Sequence, residues 1–452
     1  MTDATPPARP PHPGADLRRR RSIGRVVATS LVAGALAALA LVLVVVAGAT
    51  EPTITGAALL GFAVGWALLA LASERLTDQP QRWALVPAAS MGLSGTALLL
   101  LAPGDRAMAA LGWMWPPALL ALAVWTVRRS RRDLSSRTRA WLVLPVCVVM
   151  ALAAVAGAVE TVRGPAAAEA PSAGRLVDVG GHRLYLECSG TGSPTVVLVN
   201  GSGEHTPSWA WITPAVAQDT RVCTYDRAGQ GWSEPAAHPQ DGVEAAADLH
   251  RLLAAADVPG PHVLAGHSVG GVHGLVFAAR YPADVAGVVL LDSSSPHQFA
   301  LPGYAGTYDA WRRVSALFPS LARLGLGRLA VGTGSTGLPP DARDRERALA
   351  SSASDLRGQR DEWSQLPDTF AQAQALPDLG QTPLVVVTAG EQDPDWFAAQ
   401  DRLATLSTNS EQRVLHGATH ADLLQDRAFA ADSARAVLDV VQAVRTGTPL
   451  QP

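Results

Sequence analysis

The sequence contains no lysine, so all 36 of its basic residues are arginine. It has neither a CxxC nor an HExxH pattern, which argues against a metal site, and nothing in it calls for a cofactor. Charge is also scarce. Only 17% of the 452 residues are charged, 48% are hydrophobic, and mean hydropathy is positive, a balance that excludes an ordinary soluble enzyme. The scarcity is uneven along the chain. Residues 1–160 carry 15 Arg against 8 acidic residues, or +7, whereas residues 161–452 carry 21 against 31, or −10. A basic apolar region therefore precedes an acidic one.

Residues 1–24 form a Pro-rich tail ending in Arg18 to Arg21, with little to bury. Five stretches then lack charge altogether, at about 26–49, 54–72, 83–102, 107–127 and 140–159. Each approaches the roughly 20 residues a helix needs to cross a bilayer core. A signal peptide explains one such run, not five, so residues 25–160 are expected to form a membrane region of about five helices. The third and fourth runs are interrupted by Gly and Pro. Arginine clusters in the tail, in the second loop (Arg75, Arg82) and in the fourth (Arg128 to Arg139). The positive-inside rule makes those segments cytoplasmic and places everything after the fifth run on the far side. With no ionisable residue inside a run, the region is expected to anchor rather than transport.

Residues 161–174 are small and Pro-containing and are expected to form a linker. Beyond them strand-like and helix-like runs alternate. Residues 175–179 and 182–187, joined through Gly180-Gly181, suggest a hairpin. Apolar runs at 195–199, 221–225, 263–265, 285–291, 384–388 and 413–415 suggest buried strands, with a helix at 243–256. Such alternation implies a mostly parallel sheet with helices on both faces. Residues 296–380 break the rhythm with Trp311, Val314, Leu317, Phe318 and Leu321 at helical spacing, as an inserted helical cap would.

The chemistry centres on Gly266-His267-Ser268-Val269-Gly270, which leaves a strand-like run and enters a helix-like one. This is the pattern of a nucleophile elbow. The glycines permit a turn too tight for side chains and present a serine hydroxyl at a helix N-terminus. A serine nucleophile needs a base, a group to orient the base, and oxyanion donors. His420, just after the last strand-like run, is the expected base, with His416 its rival. Asp393, following the 384–388 run, is the expected acid; Asp292, at the end of the 285–291 run, is the alternative, and Asp395 is a further rival. Backbone N–H groups of Val269 and of Ser202, in the loop Asn200-Gly201-Ser202-Gly203, are expected to form the oxyanion hole.

Taken together, residues 175–446 resemble the Ser-nucleophile members of the α/β-hydrolase superfamily. The elbow, Tyr225-Asp226-Arg227-Ala228-Gly229-Gln230-Gly231-Trp232-Ser233, Gly390-x-x-Asp393 and Gly417-x-x-His420 carry the resemblance. It implies an eight-stranded, mostly parallel sheet and acyl transfer through Ser268, with Tyr225 to Ser233 a structural loop. One departure is Asn200-Gly201, where the family often has His-Gly. The resembled fold also puts Cys188 and Cys223 on neighbouring strands, either as a disulfide or as two buried thiols, while Cys147 lies in the fifth apolar run. The expected activity is hydrolysis of an ester, or an amide, in a small-molecule or lipid-like substrate. An acyltransferase with the same triad and a non-catalytic binding module are the alternatives. Nucleic acid is not an expected partner.

Overall fold

The structure is a computed structural model that describes residues 22–133, 142–167, 169–328 and 337–450. Most of the arginine-rich tail, Arg137 and Arg139 fall outside the described residues. The chain divides into two units, which are treated separately. One holds the apolar helices up to residue 155, and the other holds segments 47–54 and 103–114 together with residues 156–452.

Among the described residues, four helices are long and apolar enough to cross a membrane: Ile23–Val45, Glu51–Leu76, Arg82–Leu101 and Leu144–Gly164. A helix pair, Asp105–Leu111 and Trp115–Asp133, bent by 41°, gives a fifth if it counts as one span. Trp113 and Met114 lie at that break, inside the fourth apolar run. The third run, despite its glycines, is one continuous helix from Leu85 to Leu101. Small residues let the first two helices touch. A Cβ on Gly34 would lie 2.6 Å from the Gly65 Cα, and one on Gly61 would lie 2.3 Å from the Ala38 Cα. The expected linker is shorter than its composition suggests, because the helix Leu144–Ala167 continues through its first half. Small alanines and glycines do not stop a helix already propagating; the chain leaves it only before the Ala170-Pro171 stretch.

The second unit is built on an eight-stranded sheet in the order β1-β2-β4-β3-β5-β6-β7-β8. Its strands are β1 (Arg175–Asp178), β2 (Arg183–Ser189), β3 (Val196–Val199), β4 (Val222–Tyr225), β5 (His262–His267), β6 (Val285–Leu291), β7 (Leu384–Ala389) and β8 (Ser410–Leu415). β1 and β2 form the antiparallel hairpin, β2 is antiparallel to β4, and the other pairs are parallel. Cys188 and Cys223 face each other across β2 and β4 and form a disulfide. The central strands are apolar on both faces because both are covered. Val197 and Val199 pack with Leu249, Leu252 and Phe277 on one side, and Val196 and Leu198 pack with Trp209, Ile212 and Val437 on the other. Burial of this kind contributes on the order of 2 kcal/mol per side chain.

Between β6 and β7 lie the helices of the cap: Tyr304–Ser315, Phe318–Ala322, Pro340–Ala350 and Ala353–Ala373. The expected apolar stripe is not buried: Trp311, Val314 and Leu321 are exposed, and Leu317 and Phe318 are half-buried.

Candidate active site

β5 runs into the helix Val269–Arg280, and Ser268 sits at the junction with φ 54° and ψ −127°. A non-glycine residue held there stores strain of order 1–3 kcal/mol, which the surrounding fold must impose. The flanking glycines show how. A Cβ on Gly266 would lie 2.5 Å from the Gly271 nitrogen, and one on Gly270 would lie 2.2 Å from the Val199 oxygen. Neither position accepts a side chain, so the turn stays tight. The Ser268 hydroxyl makes no hydrogen bond among the described residues, and neither the Val269 nor the Ser202 amide has an acceptor among them. The Cβ direction of Gly201 points to within 3.1 Å of the Ser268 Cβ, so the Asn200 to Gly203 loop borders Ser268.

His420, the expected base, lies beside the elbow. His420 follows β8, its ring lies 4.4 Å from that of His267, and its carbonyl accepts a hydrogen bond from His267 Nε2 at 3.0 Å. That sets it against the residue preceding Ser268. Its rival His416 is exposed.

The expected acid is not in place. His420 Nδ1 lies 2.5 Å from Oδ2 of Asp292, the residue after β6, and not from Asp393. Asp393 caps the helix Pro394–Ala404, accepting from the Trp396 N–H at 2.8 Å, and both it and Asp395 are exposed. The Asp292 carboxylate is saturated. Besides His420 it accepts from Ala389 N–H at 3.1 Å, Trp396 Nε1 at 2.8 Å and Gln392 Nε2 at 2.6 Å. Burial alone would raise the Asp292 carboxyl, but these donors outweigh it and hold the group below the usual carboxylate range. A charged acceptor on Nδ1 fixes the ring with Nε2 free, as a general base requires.

The Tyr225 to Ser233 loop secures the Asn200-Gly201 turn. Arg227 donates to the carbonyls of Asn200, at 2.5 Å, and Gly201, at 3.0 Å, and to Glu362 of the cap at 2.8 Å. Burial opposes charge on Glu362, yet Arg227 brings its pKa down to about 2. Asp226 accepts from the Thr206 N–H at 2.8 Å and the Trp232 N–H at 3.0 Å. Asn200, the departure from His-Gly, donates to the Tyr225 carbonyl at 2.9 Å and accepts from Trp209 Nε1 at 2.7 Å. Its polar groups are therefore paired without a histidine.

Two groups in this loop carry no motif signal in the sequence. Glu204 Oε2 accepts the Gly201 N–H at 2.6 Å, and its Oε1 lies 2.6 Å from His267 Nδ1. Burial works against both charges, but the pairing prevails: the His267 pKa is raised and the Glu204 pKa is lowered. His205, next in sequence, lies between Glu346 at 2.8 Å and Asp355 at 2.7 Å, both on cap helices. Burial would lower its pKa, yet the two carboxylates push it well above the ordinary value. Only their polar type, in a loop after a parallel strand, could have marked them.

A cavity of about 180 Å³ opens beside the loop, lined by Ser202 and cap residues including Trp311, Phe318 and Trp363. A larger concavity of about 800 Å³ lies at the other end of the sheet, where Thr195, Arg221 and Pro261 precede β3, β4 and β5. Ligands in open α/β sheets bind at the carboxyl ends of the strands, so the smaller cavity is the one that bears on Ser268.

The model of the α/β hydrolase fold family matches residues 194–426, and the chain belongs to that family. Among curated proteins it is 38% identical to a 2-hydroxy-6-oxo-2,4-heptadienoate hydrolase of Pseudomonas putida, over 26% of this chain and 44% of that one. It is 32% identical to a dihydrolipoyllysine-residue acetyltransferase component of an acetoin cleaving system from Pseudomonas putida, over 37% and 44%. An uncharacterized protein of Schizosaccharomyces pombe is 36% identical over 25% and 26%. The chain thus spans less than half the length of these relatives. The crystal structure of Cfl2 from Burkholderia cenocepacia shares the fold, with TM-score 0.51 and 24% identity, covering 60% of this chain and 98% of that one.

Proposed function

We propose that this protein is a membrane-anchored serine hydrolase that cleaves an ester bond through an acyl-enzyme on Ser268. The observation that carries the reading is the His420–Asp292 pair, 2.5 Å apart, held against the strained elbow that exposes Ser268. Ser268 Oγ attacks the ester carbonyl carbon while its proton passes to His420 Nε2. The oxyanion accepts from the N–H groups of Ser202 and Val269, and Asp292 stabilises the imidazolium through Nδ1–H. His420 then gives the proton to the departing alkoxide, leaving an acyl ester on Ser268. Water, deprotonated by His420, attacks that ester, and Ser268 leaves as the hydroxyl with the proton returned.

The apolar helices serve as the anchor, with exposed Leu93, Leu100 and Leu101 suited to lipid contact. The arginine-rich loops put the hydrolase domain on the non-cytoplasmic side, and a Cys188–Cys223 disulfide suits an oxidising compartment. An impermeant fluorophosphonate applied to intact cells tests both parts. Wild type labels and Ser268→Ala does not. Equal labelling of the two refutes the nucleophile, and labelling only after lysis refutes the orientation.

A further inference from the structure

The cavity beside the oxyanion loop has a size, a lining and an unpaired donor, and together these define a ligand class. Its volume is about 180 Å³. An apolar cavity of about 150 Å³ accommodates one benzene molecule, or about 25 Å³ per carbon, so this one holds about seven carbons. Half of its lining residues are aromatic or aliphatic, Trp311, Phe318, Leu356 and Trp363, and half are polar. The Trp363 ring is fixed at both ends of the cavity wall. Its Nε1 donates to Ser202 Oγ at 2.7 Å, and its face lies parallel to Tyr308 with centroids 6.1 Å apart. Because Ser202 lines the cavity and supplies an oxyanion N–H, a group entering here adjoins the ester carbonyl that Ser268 attacks.

Arg360 also lines the cavity and is only 5% exposed, yet its Nε has no hydrogen-bond partner among the described residues. Its Nη2 is paired with Asp361. Nearby charges balance, with Arg323 on Glu51 and Asp105, and Arg357 3.9 Å from Glu51. The site therefore offers a buried donor without a net positive field, which suits a neutral oxygen acceptor better than an anion.

We propose that this cavity is the acyl subsite and that it selects a single aromatic ring, or a chain of similar size, bearing a neutral hydrogen-bond acceptor at its far end for Arg360 Nε. The proposal rests on the serine-hydrolase reading above. Long-chain acyl groups do not fit.

The test uses the full chain in detergent and 4-methylumbelliferyl esters of benzoic, 4-methoxybenzoic, 4-methylbenzoic, octanoic and palmitic acids, with fluorophosphonate labelling of Ser268 run in parallel. Benzoate is expected to exceed palmitate in kcat/KM by about 100-fold, and the methoxy ester to exceed its methyl counterpart by about tenfold, one charge-assisted hydrogen bond. Arg360→Met abolishes the methoxy preference. Trp311→Ala, at an exposed position that tolerates truncation, enlarges the cavity and raises the ratio of octanoate to benzoate turnover at least tenfold. A wild type that labels at Ser268 but prefers palmitate, or that does not distinguish methoxy from methyl, overturns the subsite and leaves the hydrolase reading intact. A wild type that neither labels nor turns over any ester overturns both.

Discussion

Two histidines at this end of the sheet are bonded to carboxylates and differ in what is left over. His420 has one carboxylate, Asp292, on Nδ1, and its side chain is 39% exposed. His205 has a carboxylate on each nitrogen and its side chain is 0% exposed. The first keeps a nitrogen without a partner among the described residues, and in the proposed mechanism that nitrogen passes a proton in both directions. The second has no lone pair or N–H to spare and no access to water, so it joins the oxyanion loop to the cap as a fixed cation. The same residue types thus serve as a base in the proposed mechanism and as a bracket in the other place, and the number of satisfied nitrogens separates them.

Taking the carboxylate from His420 has the largest expected effect. Asp292→Asn keeps the shape but presents an amide that can donate to Nδ1, favouring the wrong tautomer. The expected loss in kcat is about 10⁴-fold, the size seen when the corresponding aspartate of a serine protease is changed. Asp393→Ala, by contrast, removes a helix cap, so about 1 kcal/mol of stability is lost with kcat near wild type. Steady-state kinetics and urea unfolding of the two variants decide between the carboxylates. A kcat loss confined to Asp393→Ala would restore the original assignment.

The bracket is tested by His205→Ala. It leaves Glu346 and Asp355 facing each other in a buried space, and losing one partner of such a network costs about 3 kcal/mol. The sign of the pH effect follows from the raised pKa. His205 contributes its full stabilisation below its unfolded value, near 6.5, and loses it as pH rises through the raised folded value. The difference in Tm between wild type and variant is therefore largest at pH 6 and shrinks toward alkaline pH. A constant difference would show that packing, not charge, holds the cap.

The elbow, His420, the hairpin and the run of parallel strands were legible because each is local, a spacing or an apolar run that physics allows few ways to fold. The choice between Asp292 and Asp393 was not. Both follow parallel strands that are neighbours in the sheet, and which one meets His420 depends on the path of the loop after β8. One signal was present: Asp393-Pro394-Asp395 is the pattern of a helix start, with a capping aspartate and proline in the first turn, and it already gave Asp393 another occupation. The Glu204 and His205 contacts span 63 to 150 residues and connect the loop to the elbow and the cap, so no local pattern announces them.

The smallest expected effect is at Glu204. His267 is intermediate between the other two histidines, with a carboxylate on Nδ1 and a carbonyl, that of His420, on Nε2. Glu204→Gln keeps an acceptor for the Gly201 N–H but removes the charge opposite His267, so the loop holds its shape and only the ionic part is lost. Hydrogen bonds to charged groups contribute about 2 kcal/mol. The lowered Glu204 pKa makes that contribution fade as pH falls below about 4.3, and the raised His267 pKa makes it fade as pH rises above about 6.5. The Tm gap between wild type and Glu204→Gln should thus form a plateau between those limits and close on either side. If the gap instead persists unchanged at pH 9, the pair is a neutral hydrogen bond, and His267 belongs with His420 rather than with the buried bracket.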